Sequence, residues 1–456
     1  MTSKMLADML YALGFLSLFL LLGVWVRATV KWLQNTFMPA SVIGGFILLL
    51  LGPLVTGVLP IPQEWLKLYA LIPGILIVPV VAAVPLGLSL NASEGALKNV
   101  LPLAFIASAI GMLQFTLGFG TQIAFSDWYD FYPTFGWELG LGYVGGHGTA
   151  GLLGNMLQSM NLPYWETAQG VAVTTATFGL VGGIIIGMVL INWAARRGHT
   201  ALLKKPSDIP ESFKVGFIKD PAKQASIGRE TTLSASVDAY AFHMAIILGV
   251  CAASYWILGM AKGLAIPVVK DISIWAYCII VMFLVWGAMS KLKLDYLVDS
   301  RVKSKISGSL TEFAVIAAVA SLPLKAVLTF LVPILVMCFL GYILTVGFLF
   351  FMCRYFLKDY WFEQMIATMG MSTGVFLTGV LLLRICDPDF KTPALANYSL
   401  AYTMTSVAYF AVLNIFLNAL VTGGAWPGFW LSLALGGGES IVAIILSRAL
   451  LGKIKH

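Results

Sequence analysis

Apolar runs of about 20 residues recur along most of the chain, with few charged residues inside them. An α-helix needs about 20 consecutive apolar residues to cross the hydrocarbon core of a membrane. Of the 456 residues, 59% are hydrophobic and 11% are charged, whereas soluble globular domains contain roughly 25% charged residues. The sequence therefore predicts an all-α polytopic membrane protein with about 11 transmembrane helices.

The first apolar run, residues 6–26, is predicted to be a membrane span and not a signal peptide, because no small-residue cleavage site follows it. The five cysteines are scattered without the CxxC spacing that is typical of metal and redox sites. We therefore expect inert thiols, no metal centre and no organic cofactor.

The distribution of basic residues predicts the orientation in the membrane. With the N-terminus outside, 21 of the 28 Lys and Arg residues fall on the inside and 5 on the outside. Inside loops of membrane proteins carry the excess of Lys and Arg. The N-terminus is thus predicted to lie outside and the C-terminus in the cytoplasm. The net charge of +7 then reflects topology, and no nucleic-acid partner is expected.

One stretch, residues 136–189, departs from the pattern of plain apolar helices. It contains the run Gly145-Gly146-His147-Gly148-Thr149, a poor helix centre because each glycine costs roughly 1 kcal/mol relative to alanine. Such backbone is tolerated at membrane depth only where it is packed in protein or lines an aqueous cavity. We predict a re-entrant hairpin at about 136–163, with a glycine-rich tip that a small ligand or ion can approach closely.

A second segment, residues 369–379, also combines glycines with hydroxyl side chains. It predicts another hairpin, at about 362–386, which enters from the cytoplasm because it follows the inside charges Arg354 and Lys358. Residues 1–193 and 235–422 then form inverted repeats of five spans plus a hairpin, joined by a cytoplasmic connector at 194–234. Secondary transporters use this plan. Residues 423–456 are predicted to form an extra C-terminal span and a basic cytoplasmic tail.

Two glycine-containing blocks resemble the signature of the bacterial sodium/glutamate symporter family, in their order and in their spacing. They are residues 145–149 and Ala176-Thr177-Phe178-Gly179-Leu180-Val181 with Gly182-Gly183. Weaker similarity extends from residue 39 to about 421. The resemblance implies sodium-coupled symport of glutamate, or of a similar small anionic amino acid, across the bacterial inner membrane. It also implies an elevator-type carrier that works as a homodimer.

The second segment departs from the family pattern. It has no histidine near its start, and Thr392-Pro393 comes well downstream of it. The sequence therefore leaves the substrate identity open.

The candidate substrate site consists of the two glycine-rich tips and one cation. Backbone amides and the N-terminus of a half-helix can hold a carboxylate, although small residues also serve close helix packing. Arg384 could pair with a substrate carboxylate, or with Asp387 or Asp389 at the base of the hairpin. The predicted substrate-binding residues are Gly145, Gly146, His147, Gly148, Thr149, Ser372, Thr373, Gly374 and Arg384.

Neutral oxygen atoms near these tips are candidate Na⁺ ligands, because Na⁺ prefers several hard oxygen ligands. The alternative for each hydroxyl is a hydrogen bond to the carbonyl one helical turn back. The predicted Na⁺-binding residues are Asn155, Thr174, Thr175, Thr177, Asn397, Thr403 and Thr405.

Other functions stay open on the sequence alone. A carrier of another carboxylate, such as a dicarboxylate or a citrate-like anion, fits the same plan. Proton coupling would require a buried carboxylate, and Glu312 and Glu439 are the candidates. A membrane enzyme is disfavoured because the four histidines share no local motif. A passive channel would show flux that does not saturate with substrate.

Overall fold

The computed structural model describes residues 3–35, 38–87, 94–202, 215–218, 220–264, 274–387 and 391–451. All regular elements in these ranges are helices. Part of the predicted connector at 194–234, and residues 452–456 of the predicted tail, lie outside the described residues. The same holds for Asp389.

Seven α-helices of the described residues begin before the predicted connector. They are α1 (Ser3–Thr29), α2 (Lys31–Asn35), α3 (Ala40–Leu51), α4 (Gln63–Ala82), α5 (Glu94–Ala124), α6 (Glu138–Ser159) and α7 (Trp165–Arg197). Pro39 precedes the first turn of α3 and fixes the backbone where the missing N–H costs nothing. A 3₁₀ turn at Phe135–Trp137 leads directly into α6.

Nine α-helices follow the predicted connector in the described residues. They are α8 (Ala239–Gly263), α9 (Ile274–Lys291), α10 (Ser300–Ala320), α11 (Leu324–Thr329), α12 (Leu331–Phe356), α13 (Trp361–Thr373), α14 (Phe376–Cys386), α15 (Ala394–Gly423) and α16 (Ala425–Leu451). Asp238 and Asp299 cap α8 and α10, because each carboxylate accepts hydrogen bonds from the first free amides of its helix.

Seven of the described helices are long and apolar enough to cross a membrane. They are α1, α4, α5, α7, α8, α12 and α16, and two shorter apolar helices, Ala40–Leu51 and Tyr277–Lys291, accompany them. This confirms the prediction of a helical polytopic membrane protein. The predicted total of 11 spans and the inverted repeats stay predictions.

Helix α5 lies at the centre of a group of helices that pack around it. In its most apolar window 72% of the residues are buried inside the protein, against 17% for α16, which packs along it. Helices α6, α12 and α15 also pack on α5. A span that is mostly enclosed by other helices has little contact with lipid, so polar side chains along α5 must find partners in the protein.

Candidate functional site

Helix α6 is broken at Gly146, whose φ of 62° and ψ of −151° are not helical. This combination of angles is almost confined to glycine, because a side chain would collide with the neighbouring backbone. The break divides α6 into residues 138–145 and 147–159. The sequence signal for it was the glycine-rich run at 145–148.

The first part of α6 runs in the same direction as α7. Thr175 Oγ1 donates a hydrogen bond to the carbonyl of Glu138, 2.8 Å away. Tyr143, five residues after Glu138, contacts α7 at Gly179, four residues after Thr175, where an added methyl group would lie 2.8 Å from Cδ1 of Tyr143. The residue numbers of both segments therefore increase together along the contact, as expected for two segments that run in the same direction.

The second part of α6 runs in the opposite direction along α7. His147 Nε2 lies 3.0 Å from Thr177 Oγ1, whereas a methyl group at Gly154 would collide with the side chain of Gln169. Thr149 Oγ1 also donates to the carbonyl of Leu141, in the first part. The chain therefore reverses its direction at Gly146. We call residues 145–149 the first tip.

Helices α13 and α14 form a second reversal. A methyl group at Gly370 in α13 would lie 2.9 Å from the backbone of Gly379 in α14, so the two helices pack at close backbone distance. The chain turns at Gly374 and Val375, between the two helices. We call residues 372–375 the second tip.

The two tips are in contact. A methyl group at Gly146 would lie 2.7 Å from Cγ1 of Val375 and 3.3 Å from the carbonyl oxygen of Gly374. Both tips lie beside the middle of α7, where Thr177 meets the first tip and Gly179 and Gly183 adjoin Thr373 of the second. If α7 crosses the membrane, the tips therefore meet close to its midplane.

A cavity of about 50 Å³ lies between the first tip, the last turn of α13 next to the second tip, α5 and α15. Sites for small organic molecules usually have about 300–1,000 Å³, so this cavity is too small for an amino acid while the tips touch. Its lining residues are Ala107, Ser108, Gly111, Val144, Gly145, Thr149, Met371, Tyr402, Thr405, Ser406 and Tyr409.

The predicted residues of the first tip take different positions. Gly145 and Thr149 line the cavity, and Gly146 forms the contact with the second tip. His147 is buried beside Thr177. Gly148 packs against Ile77 of α4, where a methyl group would lie 3.1 Å from Cδ1.

The second tip is held by Gln114, a residue that the sequence analysis did not select. Gln114 Nε2 donates to Thr345 Oγ1 and to the carbonyl of Ser372, both at 2.8 Å. Ser372 and Thr373 are buried, and Ser372 Oγ has no hydrogen-bond partner among the described residues. The available signal was a buried amide in the centre of an apolar span, since such groups are rare without a functional or structural reason.

The predicted Na⁺ ligands on α7 make local hydrogen bonds. Thr174 and Thr177 donate to the carbonyls of Gly170 and Val173, one turn back, at 2.8 and 2.9 Å. Their oxygens keep lone pairs that can still accept a bond or a cation. Thr175 is instead turned toward the start of α6.

The remaining predicted Na⁺ ligands are spread around the tips. Thr405 lines the cavity and donates to the carbonyl of Ala401 at 2.5 Å. Asn155 packs against Gly74 of α4. Asn397 is buried in the first turn of α15, and Thr403 is half-buried. The structure therefore brings Thr405 to the cavity but not the other three.

Arg384 lies away from both tips. It is exposed in the last turn of α14, at the opposite end of that helix from Val375. The Asp387 carboxylate accepts hydrogen bonds from the Lys391 and Thr392 amides, at 2.8 and 2.7 Å, and from the Thr392 hydroxyl at 2.7 Å. The structure thus places Arg384 at the base of the second reversal, at the opposite end of α14 from the second tip.

We expect Arg384→Gln to leave the KM for substrate within about twofold of the wild type, since a screened, exposed charge contributes about 0–1 kcal/mol to an interaction. The measurement is the concentration dependence of uptake into proteoliposomes. A loss of affinity above about 2 kcal/mol, the scale of a lost charged partner, would instead assign Arg384 to the substrate.

The base of the second reversal is tied to the end of α7. Glu363 Oε1 accepts a hydrogen bond from the Ala201 amide at 2.6 Å, and the ring of His199 packs between Trp193 and Trp361. Burial, and then the charges of Arg354 and Arg197, lower the pKa of His199 below its ordinary value. His199 is therefore neutral at pH 7, and its ring packs as an aromatic group.

Comparison with known proteins gives one match. The profile of the family described as sodium/glutamate symporter matches residues 5–377. No curated protein and no solved structure matched the chain. The match includes the first tip, α7 and the second tip, and it ends before α15 and α16 begin. It covers most of the chain, and the chain therefore belongs to the sodium/glutamate symporter family.

Proposed function

We propose that this protein is a secondary transporter that carries glutamate, or a similar small anionic amino acid, together with Na⁺ across the bacterial inner membrane. Family membership and the apolar helices support a multi-pass transporter. The observation that carries the proposal is the contact between two glycine-containing reversals beside the middle of α7. Broken helices that meet near the midplane are where secondary transporters bind their substrates.

The two reversals supply groups that suit an anionic substrate. Residues 147–159 and Phe376–Cys386 both begin a helical segment at a tip. The first amides of a helix have no partner within the helix and carry a partial positive charge. The substrate carboxylates bind these amides, and the small residues Gly145 and Gly146 let them approach the backbone.

The same region supplies oxygen ligands for Na⁺. The segments before each tip end there with carbonyl groups that lack helical partners, and hydroxyl groups of Thr149, Thr405 and Thr177 lie nearby. In this proposal the cation binds the carbonyl ends while the substrate binds the amide ends, so that each compensates the charge of the other.

Substrate entry requires the tips to separate. The cavity of about 50 Å³ holds no more than a few water-sized molecules. We infer that the structure is a closed arrangement, and that movement of one tip relative to the other admits substrate. The reversals then act as re-entrant hairpins of two inverted repeats, at 1–193 and 235–422, in a homodimeric elevator-type carrier with its C-terminus in the cytoplasm.

The test is uptake of labelled L-glutamate into proteoliposomes with and without an inward Na⁺ gradient. We expect accumulation that depends on the gradient. Unlabelled glutamate or aspartate should reduce it by competition. Uptake of labelled citrate where labelled glutamate is not taken up would assign another carboxylate. Uptake that is driven equally without Na⁺ would contradict the sodium coupling.

A further inference from the structure

Glu439 is a carboxylate in the middle of α16. It follows three consecutive glycines and lies about equally far from the two ends of Ala425–Leu451. This helix is one of the seven that can cross a membrane, and it lies beyond the residues that match the family. Ionisable residues at such a depth are costly and usually serve a function.

Ser108 connects this carboxylate to the cavity between the tips. Ser108 Oγ donates a hydrogen bond to Glu439 Oε1 at 2.8 Å, and Ser108 is one of the residues that line the cavity. Close packing holds the pair together, since a methyl group at Gly436 would lie 3.0 Å from Cγ of Leu113. The second oxygen, Oε2, is enclosed and has no hydrogen-bond partner among the described residues.

In the part of the chain that the structure describes, the helices that pack on α16 bring no cation to this depth. Helix α5 has Lys98 near its start and no charged residue after it, α12 has Arg354 in its last turn, and α15 has no charged residue at all. The other charged residue of α16 is Arg448, in its own last turn. The 3₁₀ turn Phe135–Trp137, which also contacts α16, has none.

Apart from Glu94, the first residue of α5, the other titratable groups on these helices are phenols and thiols. They are Tyr402, Tyr398 and Tyr409 on α15, and Cys338, Tyr342, Cys353 and Tyr355 on α12. Phenols and thiols in apolar surroundings stay neutral near pH 7. None of these groups can therefore compensate a negative charge on Glu439.

An unpaired carboxylate at this depth must be neutralised by a small cation from solution. A sodium ion requires several oxygen ligands, whereas among the described residues the carboxylate is hydrogen-bonded by one side-chain oxygen, Ser108 Oγ, and Oε2 accepts no hydrogen bond. A proton requires only the carboxylate itself. The contacts therefore favour a proton over Na⁺ at this position.

We propose that Glu439 is a proton-binding site of the carrier, reached from the cavity through Ser108, and that its proton crosses the membrane with the substrate. A hydronium ion in the cavity gives a proton to Ser108 Oγ and becomes water, while Ser108 passes its own hydroxyl proton to Oε1. The carboxylate becomes a neutral carboxyl, the serine hydroxyl is restored, and the reverse steps release the proton on the other side. This inference rests on the proposed function, which it deepens by naming a second coupled ion.

The first test measures protons and glutamate together in proteoliposomes that contain a pH-sensitive dye. The wild type should acidify the lumen as glutamate accumulates under a Na⁺ gradient. Glu439→Gln should lose the acidification, so that the ratio of protons to glutamate falls close to zero. The matched control is Glu312→Gln, an exposed carboxyl on α10, which should keep the wild-type ratio. An unchanged ratio in Glu439→Gln, or no acidification by the wild type, would overturn the proposal.

The second test does not depend on substrate. Infrared difference spectra of the membrane-embedded protein between acidic and alkaline buffer should show the C=O band of a protonated carboxyl. This band should be absent from Glu439→Gln and shifted in Ser108→Ala, which removes the hydrogen bond to Oε1. If the band persists in Glu439→Gln, Glu439 is not the proton site. If the band behaves as expected but the protein takes up no glutamate, only the proposed substrate and coupling are contradicted.

Discussion

Gly146→Val should abolish glutamate uptake while the protein stays folded and inserted in the membrane. Two independent effects of the substitution should prevent transport. The φ of 62° and ψ of −151° lie in a region that costs a residue other than glycine about 1–3 kcal/mol. The first carbon of the side chain would lie 2.7 Å from Cγ1 of Val375, so the two tips could not close.

The measurement is initial uptake into proteoliposomes, normalised to inserted protein, and we expect a fall of roughly 100-fold or more, because the backbone strain and the collision with Val375 act together. Gly249→Val is the matched control, because Gly249 is an exposed glycine of α8 with no heavy atom within 4 Å of an added methyl group. It should retain uptake. Wild-type uptake by Gly146→Val would show that the contact between the tips is not part of the transport site.

Gln114→Leu should reduce both the stability of the protein and its transport. The change removes the donor to Thr345 and to the carbonyl of Ser372. A buried acceptor that loses its partner costs about 1–3 kcal/mol, and here the loss falls on the second tip. We expect a lower midpoint of thermal unfolding and a raised KM for substrate, because the backbone of the tip is no longer held.

Gln169→Leu is the control that separates the two effects. Gln169 is also a buried glutamine, and its Nε2 donates to the carbonyl of Ala70 at 3.0 Å, away from the second tip. It should lower the unfolding midpoint by a similar amount and leave KM unchanged. Equal changes in KM for both variants would show that Gln114 acts through general stability and does not position the tip.

The glycine-rich tips could be predicted from the sequence because their chemistry is local. Several glycines within five residues disfavour a continuous helix wherever the segment lies, and the reversal at Gly146 follows from backbone angles that glycine alone adopts readily. The polytopic helical class follows from apolar length in the same way. Neither inference requires knowledge of which helices are neighbours.

The partners of the tips could not be predicted from the sequence. Gln114 is 258 residues from Ser372, and Ser108 is 331 residues from Glu439. No local pattern encodes such pairs, since they depend on how the helices pack. Arg384 illustrates the converse, because its sequence distance from the second tip is short, yet it lies at the far end of α14.

Three glycines of α7 stand against the second reversal with a spacing of four residues. Gly179 adjoins the carbonyl of Thr373, Gly183 adjoins its hydroxyl, and Gly187 adjoins Met369 and Leu382. Four residues rise about 6 Å along a helix. The face of α7 toward the second reversal thus carries a glycine at every turn, so a shift of Thr373 by about 6 Å along α7 would again place it against a glycine.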